Sequence, residues 1–438
     1  MRSPASNYVT TSLASIQWLG FMFANTVVIP LSVGAAFHLT HGAISGMLAR
    51  SFMFTGLACL LQAWIGHKLP IMEGQSGLWW GIVLNLANLG AASGLSLAEI
   101  GGSLEVGMIL GGLLIILLGV LGAYRYLNQL FRPIVMAVLL ILLSAQLIDV
   151  FFRGMLGLDS GPVIQPDILL FSMILMFFVA GMSLFARGFV ANISILFGLV
   201  VGWLAYVILF GENKESIAPS FGHIGQWFAL GNPHFQISLV IAGVVTALLN
   251  TTNTIATLRA SEGLFRQEAT KQQMRRSFIL TGLYTMLSGP LALIPYAPYT
   301  SAIGFLRATR VLDRKPFIIA ALLFMIIGVF PALAGFLSTL PIAVGDAVLF
   351  VAYLQIFGAA LINVQGFTFN AMNTFRLAFP TLLGLAIMTL PSHSFSSLPM
   401  MLQVLLSNGM LLGILIAVVT ENCIPWKTEK QGLSQKSS

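Results

Sequence analysis

The chain has 438 residues, of which 57% are hydrophobic and only 8% are charged. An average soluble domain carries about 25% charged residues, so a soluble enzyme, a nucleic-acid binder and a disordered chain are all excluded. The mean hydropathy of +0.93 and the long, unalternating apolar runs leave an all-α polytopic membrane protein.

Apolar runs of roughly 20 residues are long enough to cross the hydrocarbon layer. In chain order they fall at 12–36, 45–66, a short 71–89, 103–123, 133–155, 167–186, 188–210, 235–257, 276–294, a short 297–309, 316–337, 341–363, 375–393 and 399–420, which makes fourteen spans. The first run is too long for the apolar stretch of a signal peptide, so it counts as a span. If the N-terminus is cytoplasmic, all 21 Lys and Arg fall on the cytoplasmic side except Arg50, Arg153 and Lys214. That bias predicts two cytoplasmic termini. The net charge of +7 then reports topology rather than an acidic partner. The basic stretch 259–276 reads as a solvated cytoplasmic loop facing anionic lipid.

Fourteen spans without a large soluble domain suggest a 7+7 inverted repeat. Span five opens Phe131-Arg132-Pro133 and span twelve opens Thr339-Leu340-Pro341, equivalent places in the two halves. Spans three and ten also correspond, and both are short and broken. The first reads Pro70-Ile71-Met72-Glu73-Gly74-Gln75-Ser76-Gly77-Leu78-Trp79-Trp80; the second reads Pro295-Tyr296-Ala297-Pro298-Tyr299-Thr300-Ser301-Ala302. Non-helical backbone at membrane depth is tolerated only where it is buried in protein or lines a cavity. The half-helix that follows aims its free N–H groups and positive dipole end at the midplane. A matched pair of such segments is the expected solute site of a transporter.

Glu73 stands out, because an ionisable side chain within a membrane segment marks function by default. It suits solute binding or proton coupling; the competing reading pairs it with Lys68 or His67 near the cytoplasmic mouth. Asn250, Thr251, Asn253 and Thr254 form a polar cluster in an apolar span, suited either to solute recognition or to interhelical hydrogen bonds. Trp79 or Trp80 would stack on a planar ring or anchor at the interface. Asp346 reads equally as a gating or interface carboxylate and as part of a hydrated helix start, and Gln17 and Asn25 equally as facing the core site and as interhelical packing. Cys59 and Cys423 lie far apart, and the six His have no metal-ligand spacing with Cys or carboxylates. No Walker-type phosphate loop is present. No cofactor, metal or enzymatic activity is expected.

At these residues the chain resembles the nucleobase–ascorbate transporters, which include bacterial uracil, xanthine and purine permeases. The family signature on span ten has the form Gln/Glu-Asn-x-Gly-x-x-x-x-Thr-Arg/Lys. Here Ser301-Ala302-Ile303-Gly304 through Thr309-Arg310 matches its Gly, Thr and Arg but not its first two positions. Gln17-Trp18-Leu19 through Pro30 resembles the family's first span, and Gly74-Gln75-Ser76 its span-three strand. Leu130-Phe131-Arg132-Pro133, Ala256-Thr257, and Leu340-Pro341 with Val344-Gly345 resemble span five, the end of span eight and the start of span twelve.

The resemblance implies a core domain of spans 1–4 and 8–11 (residues 1–123 and 235–337) and a gate domain of spans 5–7 and 12–14 (124–211 and 338–420). An external loop at 212–234 and a cytoplasmic tail at 421–438 complete the chain. It also implies homodimers in the plasma membrane, elevator-like or rocking motion, and a binding site at Glu73, Gln75, Ser76, Gly77, Trp79, Asn250, Asn253, Tyr299, Ser301 and Ala302. Two family carboxylates are missing: Leu249 and Ser301 occupy their places. The expected function is secondary transport of a purine or uracil-like nucleobase with a proton, Glu73 supplying the coupling carboxyl. The alternative is an anion transporter of the same broad fold, built on half-helix N-termini.

Overall fold

The structure is a computed structural model. It describes residues 4–426 except 159, 160, 162, 187, 188, 212–224, 338, 396, 400, 401, 404 and 405. Most of the external loop, the tail beyond 426, Arg2, Arg187, Lys214 and His223 therefore lie outside the described residues.

Helix starts follow the capping chemistry of the sequence. The first crossing is α1 (Pro4–Ala24) and α2 (Val28–Ala36). The apolar run 12–36 reads as one helix, yet it breaks at 25–27. Pro30 offers no N–H to the Thr26 carbonyl, and Asn25 Nδ2 turns back onto the Phe21 carbonyl at 2.8 Å. Helix α3 (His41–Trp64) opens on Thr40, whose side chain accepts the Ala43 N–H. Strand β1 (Glu73–Gln75) leads into α4 (Gly77–Ser93). Helix α5 (Leu97–Leu121) opens on a capping box of Ser96 and Glu99. After the short α6 (Tyr124–Leu130), α7 (Pro133–Met155) and α8 (Pro166–Phe185) each carry Pro in the first turn, where its missing N–H costs nothing.

The remaining elements are α9 (Phe189–Phe210), α10 (Ile237–Phe265), α11 (Lys271–Ser288), β2 (Tyr296–Pro298), α12 (Ser301–Thr309), α13 (Arg314–Val329), α14 (Pro331–Leu337), α15 (Ile342–Asn363), α16 (Ala371–Met388) and α17 (Gly409–Cys423). The run 316–337 is divided between α13 and α14 because Pro331 cannot donate to the Ile327 carbonyl. The run 399–420 ends in α17 from Gly409, where Asn408 accepts the Leu411 N–H.

The fold is thus a helical polytopic membrane protein. Among the described residues, eight stretches are long and apolar enough to cross a membrane, and three shorter apolar helices accompany them. Thr11–Ala36 is one of the eight despite its break at 25–27, whereas α12 and the run divided at Pro331 fall short of that length.

Helix α5 packs on α10 and α11, while α3 packs on α13. A second set joins α7 to α15, α16 and α17, and α8 to α9 and α15. Lipid gives helices no hydrophobic incentive to associate, so close backbone approach at small residues does the work. A Cβ at Gly112 would lie 2.6 Å from the Gly282 carbonyl oxygen across the α5–α11 seam. One at Gly328 would lie 2.6 Å from the Ala49 carbonyl oxygen across α13–α3.

β1 and β2 cross antiparallel in the register Glu73↔Pro298, Gly74↔Ala297 and Gln75↔Tyr296, and all six residues are buried. The Ser76 N–H to Pro295 carbonyl (2.8 Å) and Tyr299 N–H to Met72 carbonyl (2.9 Å) bonds extend the ladder at both ends. This pairing removes the backbone cost of two non-helical segments inside the protein.

Candidate substrate-binding site

The crossed strands deliver two helix N-termini, those of α4 and α12, to one place. Each strand ends in a residue that ties the junction to a different helix. Ser76 donates its hydroxyl to Asn250 Oδ1 of α10 at 2.6 Å. Asn250 Nδ2 donates to the Tyr296 carbonyl at 2.9 Å, and Asn253 Nδ2 reaches Asn250 Oδ1 at 3.0 Å. The residues three apart on α10 thus share one face and meet Ser76 and β2. At the other junction the Tyr299 hydroxyl reaches the Gln75 carbonyl and, at 3.3 Å, the Asn25 carbonyl.

The pleat separates the strand side chains. Glu73 and Gln75 point to one face and Gly74 to the other, where a Cβ would meet the Tyr299 ring at 3.2 Å. Glu73 is fully buried, and its Oε1 accepts the Thr281 hydroxyl of α11 at 2.8 Å. It forms no ion pair among the described residues. Lys68 is exposed, and His67 Nδ1 accepts the Leu69 N–H at 3.0 Å. The pairing of Glu73 with Lys68 or His67 is therefore absent. Gln75 Nε2 donates to Ser51 Oγ at 3.1 Å.

Trp79 and Trp80 are both fully buried within the protein. Trp80 Nε1 donates to Ser32 Oγ at 2.7 Å, and its ring packs 5.3 Å from Phe151 and 6.3 Å from Tyr353. Gly77, the first residue of α4, lies against Leu147 and Tyr353. One turn later, Gln146 of α7 donates to the Gly81 carbonyl at 2.6 Å. Ser301 is exposed at the start of α12, whereas Ala302 is buried and its N–H bonds the Tyr299 carbonyl at 3.1 Å. Gln17 and Asn25 share a small cleft between α1 and α9 with Gly20, Phe21, Ala24, Ile195 and Leu196.

The two segments that stood out in the sequence therefore meet at β1/β2, and the polar cluster of α10 joins them. Thr257 also reaches the site, bonding the Pro298 carbonyl (3.1 Å) and the Thr300 hydroxyl (2.8 Å). Thr281, Gln62, Ser51 and Thr55 escaped the reading of polar residues. For Thr281 the signal is periodic: Ser277, Thr281, Thr285 and Ser288 recur every three or four residues along α11, marking one polar stripe beyond its basic first turns.

A family model described as "Permease family" (Xan_ur_permease) matches residues 9–393, nearly the whole chain. The chain belongs to that permease family. A putative purine permease, YwdJ of Bacillus subtilis, is 27% identical over 95% of this permease and 97% of its own length. The xanthine permease of the same organism is 25% identical over 92% of this chain and 91% of its own. Among solved structures, the transmembrane domain of the cyanobacterial bicarbonate transporter BicA shares the fold. Its TM-score is 0.59 at 16% identity, covering 94% of this permease and 97% of that chain. The chain is a membrane permease and not an enzyme. Within this permease, Leu249 is buried beside Asn250, so the amides of α10 take the polar role at the crossing.

Proposed function

We propose that this permease is a secondary transporter for a purine-type or uracil-like nucleobase, bound at the β1/β2 crossing and moved together with a proton. The observation that carries the reading is the Ser76–Asn250–Asn253 cluster between two helix N-termini. An amide offers one acceptor and one donor side by side, which suits the adjacent N–H and C=O groups of a nucleobase edge. The names of the relatives YwdJ and the xanthine permease support the same substrate class.

Solute contacts come from Gln75, Ser76, Gly77, Trp79, Asn250, Asn253, Tyr299, Ser301 and Ala302. Glu73, which also borders the site, is the proton carrier, since the positions of Leu249 and Ser301 hold no carboxyl. The fourteen spans form a 7+7 inverted repeat. Support comes from packing in matched pairs: α5 with α11 answers α3 with α13, and α7 meets α15 across the middle. Spans 1–4 and 8–11 form the core, and spans 5–7 and 12–14 the gate, with Trp80 and Gly81 of the core resting on Phe151, Tyr353 and Gln146 of the gate. The permease works as a homodimer in the plasma membrane, in contact with lipid, with both termini cytoplasmic. Anion transport is the competing reading; its support is the BicA-like fold alone.

The test is uptake of labelled adenine, guanine, hypoxanthine, xanthine, urate and uracil, at two external pH values, by cells lacking nucleobase permeases. Uptake of at least one base, stimulated by external acid and abolished by an uncoupler, is the expected result. No uptake of any base by protein verified at the membrane would overturn the substrate class. Uptake indifferent to uncoupler would remove the proton.

A further inference from the structure

Behind Glu73 lies a row of side chains that the solute site does not use. The Ser277 hydroxyl donates to Gln62 Oε1 at 3.0 Å, Gln62 Nε2 donates to Thr281 Oγ1 at 3.3 Å, and the Thr281 hydroxyl donates to Glu73 Oε1 at 2.8 Å. Ser277 and Thr281 lie four residues apart on α11, and Gln62 faces them from α3. All four are buried to within 1% exposure.

Every donor in the row points toward Glu73. The direction is fixed by the amide, because Gln62 can give only N–H to Thr281 once its carbonyl has taken the Ser277 hydrogen. Thr281 has a single hydrogen, and with Gln62 occupying its oxygen, that hydrogen is committed to Glu73 Oε1. Glu73 Oε2 has no hydrogen-bond partner among the described residues. The titratable groups nearest the carboxyl are Cys59 of α3, Tyr284 of α11 and Tyr296 of β2. Cys59 is engaged with the Glu73 backbone at 3.4 Å, Tyr284 with the Ala58 carbonyl at 3.3 Å, and Tyr296 with Thr55 at 3.1 Å. None of these bonds occupies Oε2.

We propose that Thr281, held by Gln62 and Ser277, is the positioning residue of the proton carrier, pinning Glu73 Oε1 so that the coupling proton is taken and released on Oε2. Loading transfers a proton from hydronium to Oε2, breaking a hydronium O–H bond, forming one on the carboxyl, cancelling the carboxylate charge and leaving water; release is the reverse. The row itself conducts nothing, since an amide cannot pass a proton on without losing its resonance. Its role is to keep the acceptor atom oriented while the charge changes. This assignment rests on the reading of Glu73 as the coupling group.

The experiment uses the full-length permease in liposomes, with two readouts for each variant. One is accumulation of labelled base driven by a pH gradient. The other is exchange of labelled for unlabelled base at equal pH, in which the carrier returns loaded and the carboxyl need not release its proton. Thr281→Val is expected to lower the ratio of accumulation to exchange about tenfold, the size of a lost hydrogen bond to a charged group. Thr281→Ser restores the ratio, and Ser277→Ala, one bond further back, lowers it about threefold. A Thr281→Val ratio equal to the wild type overturns the assignment, as does a Thr281→Ser ratio as low as that of valine. Should Thr281→Val fail to fold, an unchanged ratio in Ser277→Ala overturns it instead. Wild-type accumulation indifferent to the gradient, or a Glu73→Gln variant that still responds to it, sinks the coupling reading itself, a result distinct from failure at Thr281 alone.

Discussion

The two broken segments share a backbone plan and differ in chemistry. Each has a three-residue strand followed by a helix, and the antiparallel register makes Glu73 of β1 the counterpart of Tyr296 of β2. Each of these first residues reaches a threonine on a long helix: Glu73 meets Thr281 of α11, and the Tyr296 hydroxyl meets Thr55 of α3 at 3.1 Å. Each residue after the strand meets an asparagine position: Ser76 the side chain of Asn250, Tyr299 the main chain of Asn25. Among the six strand residues only Glu73 is a carboxylic acid, and α10 adds Asn250, whose amide bonds both Ser76 and the Tyr296 carbonyl. A shared backbone scaffold thus carries a carboxyl on one strand and a phenol at the equivalent place on the other.

The sharpest way to break this comparison is at the paired first residues. Glu73→Gln should reduce gradient-driven accumulation to the equilibrium level while exchange continues. Tyr296→Phe, its mirror, should cost only about 0.5–1.5 kcal/mol of stability and leave coupling in place, measured by thermal unfolding and by the same uptake assay. Equal loss in both variants would erase the distinction between the halves.

The next effect tests the asparagines. Asn250→Ala strands the Ser76 hydroxyl and the Tyr296 carbonyl in a buried site, a penalty of about 1–3 kcal/mol, so uptake should fall by roughly tenfold or more. Asn25→Ala retains the main-chain carbonyl that Tyr299 uses, and should fall far less. A third, smaller effect is steric. Gly74→Ala places a Cβ 3.2 Å from the Tyr299 ring and 2.8 Å from Met72 Cε. Overpacking of this kind costs about 1–3 kcal/mol; because Met72 is flexible, the low end is expected, read as a modest fall in uptake and melting temperature. A gain in either would show that this face has room to spare.

The smallest effect concerns His67, in the loop before β1. Burial holds its imidazole down to about 3, so it stays neutral throughout the range in which transport is assayed. A group whose folded value is lowered this far gains its proton only in strong acid, and no charge change falls between pH 5 and 8. The pH profile of uptake in His67→Gln should therefore overlay the wild type. A displaced profile would give the loop before β1 a titrating role of its own.

Much of this was legible before any coordinates. Spans three and ten announce themselves by their shortness and by the clustering of Pro70 with Gly74 and of Pro295 with Pro298, and Glu73 and Asn250 are conspicuous because charge and amides are scarce in apolar spans. Continuity was harder to read. The runs 12–36 and 316–337 look unbroken by hydropathy, yet Pro30 and Pro331 remove a backbone donor and split each one. Trp79 and Trp80 illustrate the same limit, since an indole serves equally at an interface, on a ring or in a core.

The sequence alone determined the solvent of this protein, because 8% charge cannot cover a soluble fold of this size, and it located the two segments that cannot be plain helices. Tertiary structure decided the partners. Glu73 finds Thr281 at a separation of 208 residues, and Ser76 finds Asn250 at 174. Such contacts follow from how helices pack and strands cross, and periodicity along one segment holds no record of which distant hydroxyl will face it. For that reason the carboxyl could be named from the sequence, while the atom left open on it emerged only from the fold.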